Sequence, residues 1–129
     1  SAFAATGLAL LLLPGMAAAQ DDRKFNLECR EFADPDTLLD SVTHVFSVDM
    51  GALEVCRGGN SRCTTIVDHG RFLEFSYGFT DGVQTFELFR LYDRRTGWLT
   101  QVMRSPGEQD RSYGDAVCEI RPFDSVGPA

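Results

Sequence analysis

Four cysteines, two histidines and a scatter of carboxylates are the residues of this 129-residue chain whose types invite chemistry. The cysteines are Cys29, Cys56, Cys63 and Cys118. Joined by His44 and His69 they would make a zinc site, but the chain has no C-x-x-C pair, the spacing that structural zinc sites favour. An even count behind an export signal instead reads as two disulfides, with three possible connectivities. Cys56 and Cys63 flank Arg57-Gly58-Gly59-Asn60-Ser61-Arg62, a turn-rich stretch able to set two strand ends face to face. Cys29 and Cys118 sit near opposite ends of the domain, and pairing them is natural if the first and last strands are neighbours. The expected bridges are therefore Cys29–Cys118 and Cys56–Cys63. In the chain-entropy account the short loop contributes about 2.5 kcal/mol and the long one about 4.6 kcal/mol. No metal and no cofactor is expected.

Catalytic pairings fare poorly. Asp68 and His69 are adjacent in an expected turn, where neighbouring side chains point apart, so no base and orienting partner follow. His44 opens a strand and reads as solvated or structurally satisfied. Asp34, Asp36 and Asp40 cap and solvate a turn more plausibly than they serve as acid and base. Gly58-Gly59-Asn60 lacks the GK[ST] and the following helix of a phosphate loop. With both disulfides formed, no cysteine remains as a nucleophile, so the chain reads as a non-enzyme. The candidate binding surface is Arg94, Arg95 and Trp98, because Arg and Trp are typical interface anchors.

The elements that must hold these residues read as β throughout. Turn signals recur at Asp49-Met50-Gly51, Gly58-Gly59-Asn60, Asp68-His69-Gly70, Asp81-Gly82, Arg94-Arg95-Thr96-Gly97 and Ser105-Pro106-Gly107. That spacing suits consecutive antiparallel strands and leaves no room for crossover helices. Strands are expected near 25–30, 45–48, 53–56, 63–67, 71–79, 83–92, 98–104 and 116–121. Alternation supports them: Leu73, Phe75, Tyr77 and Phe79 share one face. Asp81-Gly82 suits a tight type I′ hairpin. The one helical candidate runs from Asp34 to Asp40, where Asp34 would cap and Pro35 suits a first turn. The fold class is thus all-β: an eight-stranded antiparallel meander forming a small closed or nearly closed barrel, with one short helical turn near 34–40. A β-sandwich is the alternative. Ten Phe, nine of them beyond Ala19, argue that side chains fill the interior.

At the scale of the chain, Ser1 to Ala19 carry no ionisable side chain. The run Leu8 to Leu13, broken by Pro14-Gly15 and followed by Ala17-Ala18-Ala19, reads as a signal peptide over 1–19. It is shorter than a membrane span needs, so no stable membrane span is expected after cleavage. Residues 20–129 then form a single disulfide-stapled β domain in the periplasm or outside the cell. The net charge is −7, which excludes a general nucleic-acid binder. Between Asp34 and Glu87 lie nine carboxylates against three arginines. Such a surface keeps an exported domain soluble, the reading the composition favours, or steers a cationic envelope or host protein.

Phe46-Ser47-Val48-Asp49 ahead of Gly51, Tyr92-Asp93-Arg94-Arg95-Thr96-Gly97 ahead of a further strand, and the late Cys118 carry a likeness. Together, over roughly Cys29 to Cys118, they resemble a family of small uncharacterised exported β-proteins of Gram-negative bacteria. That resemblance implies an exported β-fold and nothing catalytic. In order of features alone, the chain is also similar to the periplasmic lysozyme inhibitors, eight-stranded barrels with bridged terminal cysteines, whose inhibitory loop motif it does not clearly show. The expected function is a non-catalytic protein-binding or inhibitory module of the cell envelope, with a small apolar-ligand-binding barrel as the alternative.

Overall fold

The structure, a computed structural model, describes residues 23–58 and 62–125. The expected signal peptide over 1–19 lies outside the described residues. Eleven β-strands and no helix occur among those described: β1 (Lys24–Asp34), β2 (Thr37–Leu38), β3 (His44–Asp49), β4 (Glu54–Arg57), β5 (Arg62–Thr65), β6 (Val67–Asp68), β7 (Phe72–Thr80), β8 (Thr85–Asp93), β9 (Trp98–Arg104), β10 (Arg111–Ser112) and β11 (Ala116–Arg121). Nine of them pair in the order β5-β4-β3-β1-β11-β9-β8-β7-β6, while β2 joins β1 and β10 joins β9. Every pairing is antiparallel.

The two ends of that order, β5 and β6, are separated in sequence by Ile66 alone. Residues 62–65 pair with β4 and residues 67–68 pair with β7. Thr64 Oγ1 donates to Ser76 O across the seam at 2.7 Å, and the Ile66 amide donates to Leu53 O at 2.9 Å. One bent segment thus serves both edges, which nearly closes a barrel rather than stacking two sheets. It also removes the open edges that invite association. Counted once, that segment leaves eight strands around the barrel in chain order.

Inward positions supply the core. Phe25, Leu27 and Cys29 of β1 meet Phe46, Val48, Val55, Leu73, Phe75, Tyr92 and Leu99, all buried. Each large side chain stabilises the fold by about 2 kcal/mol through removal of apolar area from water. Phe46 and Phe75 meet edge to face, with centroids 5.4 Å apart. Cys29 faces Cys118 in the β1–β11 register and Cys56 faces Cys63 in the β4–β5 register, and both bridges are formed. The first and last long strands are therefore neighbours tied by sulfur. Beyond β11 the chain is strapped back, with Asp124 O accepting from Asn26 Nδ2 at 2.9 Å and from Ser47 Oγ at 2.8 Å.

Two local expectations fail. The helical turn near 34–40 is a hairpin: Asp34 caps Pro35-Asp36 by accepting the Asp36 amide at 3.0 Å, and Thr37–Leu38 then folds back on β1. Asp34 and Pro35 suit a β-turn as well as a helix start, and the β1 edge decides between them. Asp81-Gly82 opens a four-residue loop, not a two-residue one, because Thr80 pairs with Thr85. Asp81 Oδ1 accepts both the Val83 and Gln84 amides at 2.9 Å, which stabilises the longer loop.

Candidate functional site

The barrel interior is apolar except at one end, where five polar side chains from five strands form a continuous chain. Arg57 closes β4 and His44 opens β3; Glu31 lies on β1, Gln101 on β9 and Arg90 on β8. Arg57 donates a terminal N–H to His44 Nδ1 at 2.9 Å, and His44 Nε2 bonds Glu31 Oε2 at 2.8 Å. Gln101 Nε2 donates to the same Glu31 oxygen at 3.1 Å and to Gly114 O at 2.8 Å. Gln101 Oε1 accepts from Arg90 Nε at 2.8 Å. The β8–β9 register sets Arg90 directly opposite Gln101, and strand alternation turns both inward. Arg90 is only 3% exposed and Gln101 fully buried.

Burial and charge tune this chain. Arg90 is pushed down to about 10, first by burial and then by the like charge of Arg57. Its guanidinium also lies over the Phe46 ring, 5.1 Å from the centroid. Burial depresses the His44 imidazole, and the charges of Arg90 and Arg57 add to that, against an opposing bond from Glu31. Burial alone would raise Glu31, yet the hydrogen bonds of His44 and Gln101 and the charge of Arg90 leave it below the usual carboxylate range. The group at this end is therefore a hydrogen-bonded network whose two guanidinium groups outnumber its one carboxylate.

The mouth beside this chain is lined by Phe46, Arg57, Arg62, Phe75, Tyr77 and Arg90. The cavity they line is small, with room for about 20 Å³, and it opens to solvent. Arg62 stacks on Tyr77 with its guanidinium carbon 4.9 Å from the ring centroid.

The surface anticipated from Arg94, Arg95 and Trp98 lies elsewhere, at the β8–β9 hairpin. Arg94 and Arg95 are exposed and Trp98 is 41% exposed. Trp98 packs on Phe32 at 5.1 Å between centroids and donates Nε1–H to Asp115 at 3.1 Å. On the same outer face Trp98 opposes Val117, and Phe89 opposes Val102. The hairpin beneath is locked by a two-pronged ion pair, Arg71 to Asp93, at 2.7 and 3.0 Å. That bond, with the Arg95 amide, holds Asp93 far below the usual carboxylate range.

Other groups separate as the sequence suggested. Asp68 accepts the Gly70 amide while His69 bonds Glu74, so the adjacent pair never meets. Glu54, Cys56 and Cys63 come close enough to suggest a metal site, but the two sulfurs are bonded to each other and offer no thiolate. The interior chain escaped sequence reading because its five members are spread from Glu31 to Gln101 and meet only once strand pairing is known. Arg90, polar amid Phe86-Glu87-Leu88-Phe89-Arg90-Leu91-Tyr92, was the one visible signal, at a position flanked by core residues. Comparison with protein-family models, curated proteins and solved structures finds no match to this chain.

Proposed function

We propose that the protein is an exported, non-catalytic binding module of the bacterial cell envelope, acting in the periplasm or medium on a cationic protein partner. The observation that carries this reading is the outer apolar stripe of β1, β11, β9 and β8: Phe32, Trp98, Val117, Val102 and Phe89 on a barrel whose interior is filled by its own side chains. A partly exposed Trp flanked by Arg94 and Arg95 is the composition of an interface anchor, set on a disulfide-stapled barrel. The two disulfides are typical of extracellular or periplasmic proteins. The charge of −7 gives long-range steering of a basic partner, while the stripe supplies contact. A filled core speaks against the apolar-ligand barrel.

Immobilised protein is expected to retain a basic partner from periplasmic or host fluid, with a basic muramidase the first to try. Association slows as salt rises, and Trp98→Ala weakens retention about tenfold or more with the circular-dichroism spectrum unchanged. No retention at micromolar bait, or retention indifferent to Trp98→Ala, overturns the reading.

A further inference from the structure

Arg90 is a buried cation with no carboxylate in direct contact; it feels the charge of Glu31 only at a distance. Among the described residues no carboxylate lies within ion-pair distance of it. Glu31, the nearest acid in the chain of bonds, is already shared by His44 and Gln101. Arg57, the second guanidinium on the same mouth, keeps Nε buried without an acceptor. Arg57, Arg90 and, at the rim, Arg62 set three cations around one small space, and a buried charge is costly unless it is paired. The arrangement is held open by bonds to His44 and Gln101 that fix each guanidinium from behind.

We propose that this mouth, between β4, β5, β7 and β8, is a carboxylate-binding site. The ligand's carboxylate is received by Arg57 and Arg90, and its short aliphatic or aromatic neck lies against Phe75 and Tyr77. Guanidinium forks match the two coplanar oxygens of a carboxylate. The cavity of about 20 Å³ admits an oxygen-sized group, and its open side leaves the remainder of the ligand toward solvent. Inorganic phosphate has no neck to lie against Phe75 and Tyr77. The carboxylate belongs to a free small acid or to the C-terminus of a peptide, and the recognising chemistry is the same. This site is distinct from the outer stripe at Trp98, so either proposal stands or falls without the other.

The test is calorimetric titration of the disulfide-intact protein with sodium benzoate, at ionic strength held by sodium chloride. Benzamide serves as the neutral twin and sodium phosphate as the tetrahedral anion. Benzoate is expected to bind saturably in the millimolar range, benzamide not at all, and phosphate more weakly. Arg57→Gln lowers benzoate affinity at least tenfold, while Arg104→Gln, on the outer face, leaves it unchanged. Should Arg57→Gln not fold, guanidinium N–H shifts of the wild type on benzoate addition decide the matter, with Arg57 and Arg90 expected to move. A short peptide with a free C-terminus is compared with its amide: tighter binding than benzoate, lost on amidation, assigns a peptide ligand, and otherwise a free acid is assigned. No saturation by benzoate, equal binding of benzamide, phosphate binding as tightly as benzoate, or shifts confined to other arginines overturns the site.

Discussion

An arginine can only donate, so the 2.9 Å bond from Arg57 to His44 Nδ1 settles which nitrogen of that imidazole is bare. The proton then sits on Nε2 and is donated to Glu31 at 2.8 Å, and the ring is neutral. Protonating Nδ1 would set one N–H against another and add a third cation near Arg57 and Arg90. Burial and those two charges depress His44 accordingly, with Glu31 as the only opposing group. The sign of the pH effect follows. The unfolded chain takes up the proton at about pH 6.5 while the folded chain resists it. The stability contribution is therefore fully present above that pH and declines as pH falls from 6.5 toward the lower folded-state value. Urea midpoints between pH 8 and pH 5 are expected to stay level at first and then drop below 6.5. His44→Gln, less stable by about 1–3 kcal/mol at pH 7 through the broken network, loses that drop. A midpoint that rises on acidification through this window would show that His44 is charged in the fold. From sequence, His44 read as solvated or satisfied; the structure makes it satisfied, and its neighbours could not be named without the β3–β4 and β1–β3 registers.

The hairpin between β8 and β9 shows how turn residues position both the stripe and the disulfide strand. Asp93 accepts the Arg95 amide at 2.9 Å and Thr96 Oγ1 accepts the Trp98 amide at 3.1 Å. Gly97 does two things. Its φ is +83°, a backbone region costly for other residues, and a Cβ there would stand 2.7 Å from Cys118 O. That close approach is what lets Cys118 N donate to Gly97 O at 2.7 Å. Gly82 shares the positive φ, +96°, but has nothing within 4 Å of a Cβ. Gly82→Ala is therefore expected to cost about 1 kcal/mol, and Gly97→Ala about 3 kcal/mol because backbone must also move. Thermal unfolding of the two variants orders them; equal losses would mean that the contact with Cys118 is relaxed away. Turns of this kind were legible because Gly, Asp and Thr act locally, and so the strands between them were legible too. The turn at Pro35-Asp36 was not, since Asp-Pro opens a helix and a β-turn alike and only the β1 edge, distant in no sequence pattern, chooses. The outward placing of Phe89 and Leu91 beside inward Leu88 and Arg90 was visible only as a strand apolar on both faces.

For the whole molecule, closure is the decisive property, and it is achieved twice by different means. The bent segment 62–68 closes the sheet non-covalently, by pairing with β4 and then with β7. Cys29–Cys118 secures the β1–β11 pairing covalently, across a sequence separation of 89 residues, while Cys56–Cys63 spans only 7. Strand order and both bridges followed from cysteine spacing and turn rhythm; the seam did not, because nothing at Ile66 marks a change of partner. In the chain-entropy account the long bridge constrains the unfolded chain far more than the short one, about 4.6 against about 2.5 kcal/mol. Cys29 and Cys118 are also buried in the core, so their loss leaves packing gaps in addition. The paired substitution of Cys29 and Cys118 by Ala is expected to lower the denaturant midpoint markedly more than the same change at Cys56 and Cys63. If the short bridge proves the more stabilising, its role is to hold Arg57 and Arg62 at the mouth by restraining β4 against β5, and benzoate affinity would then fall with it. If the long bridge dominates, benzoate affinity in the Cys56/Cys63 double variant stays close to wild type, because Arg57 is fixed from behind by His44 rather than by the sulfur beside it.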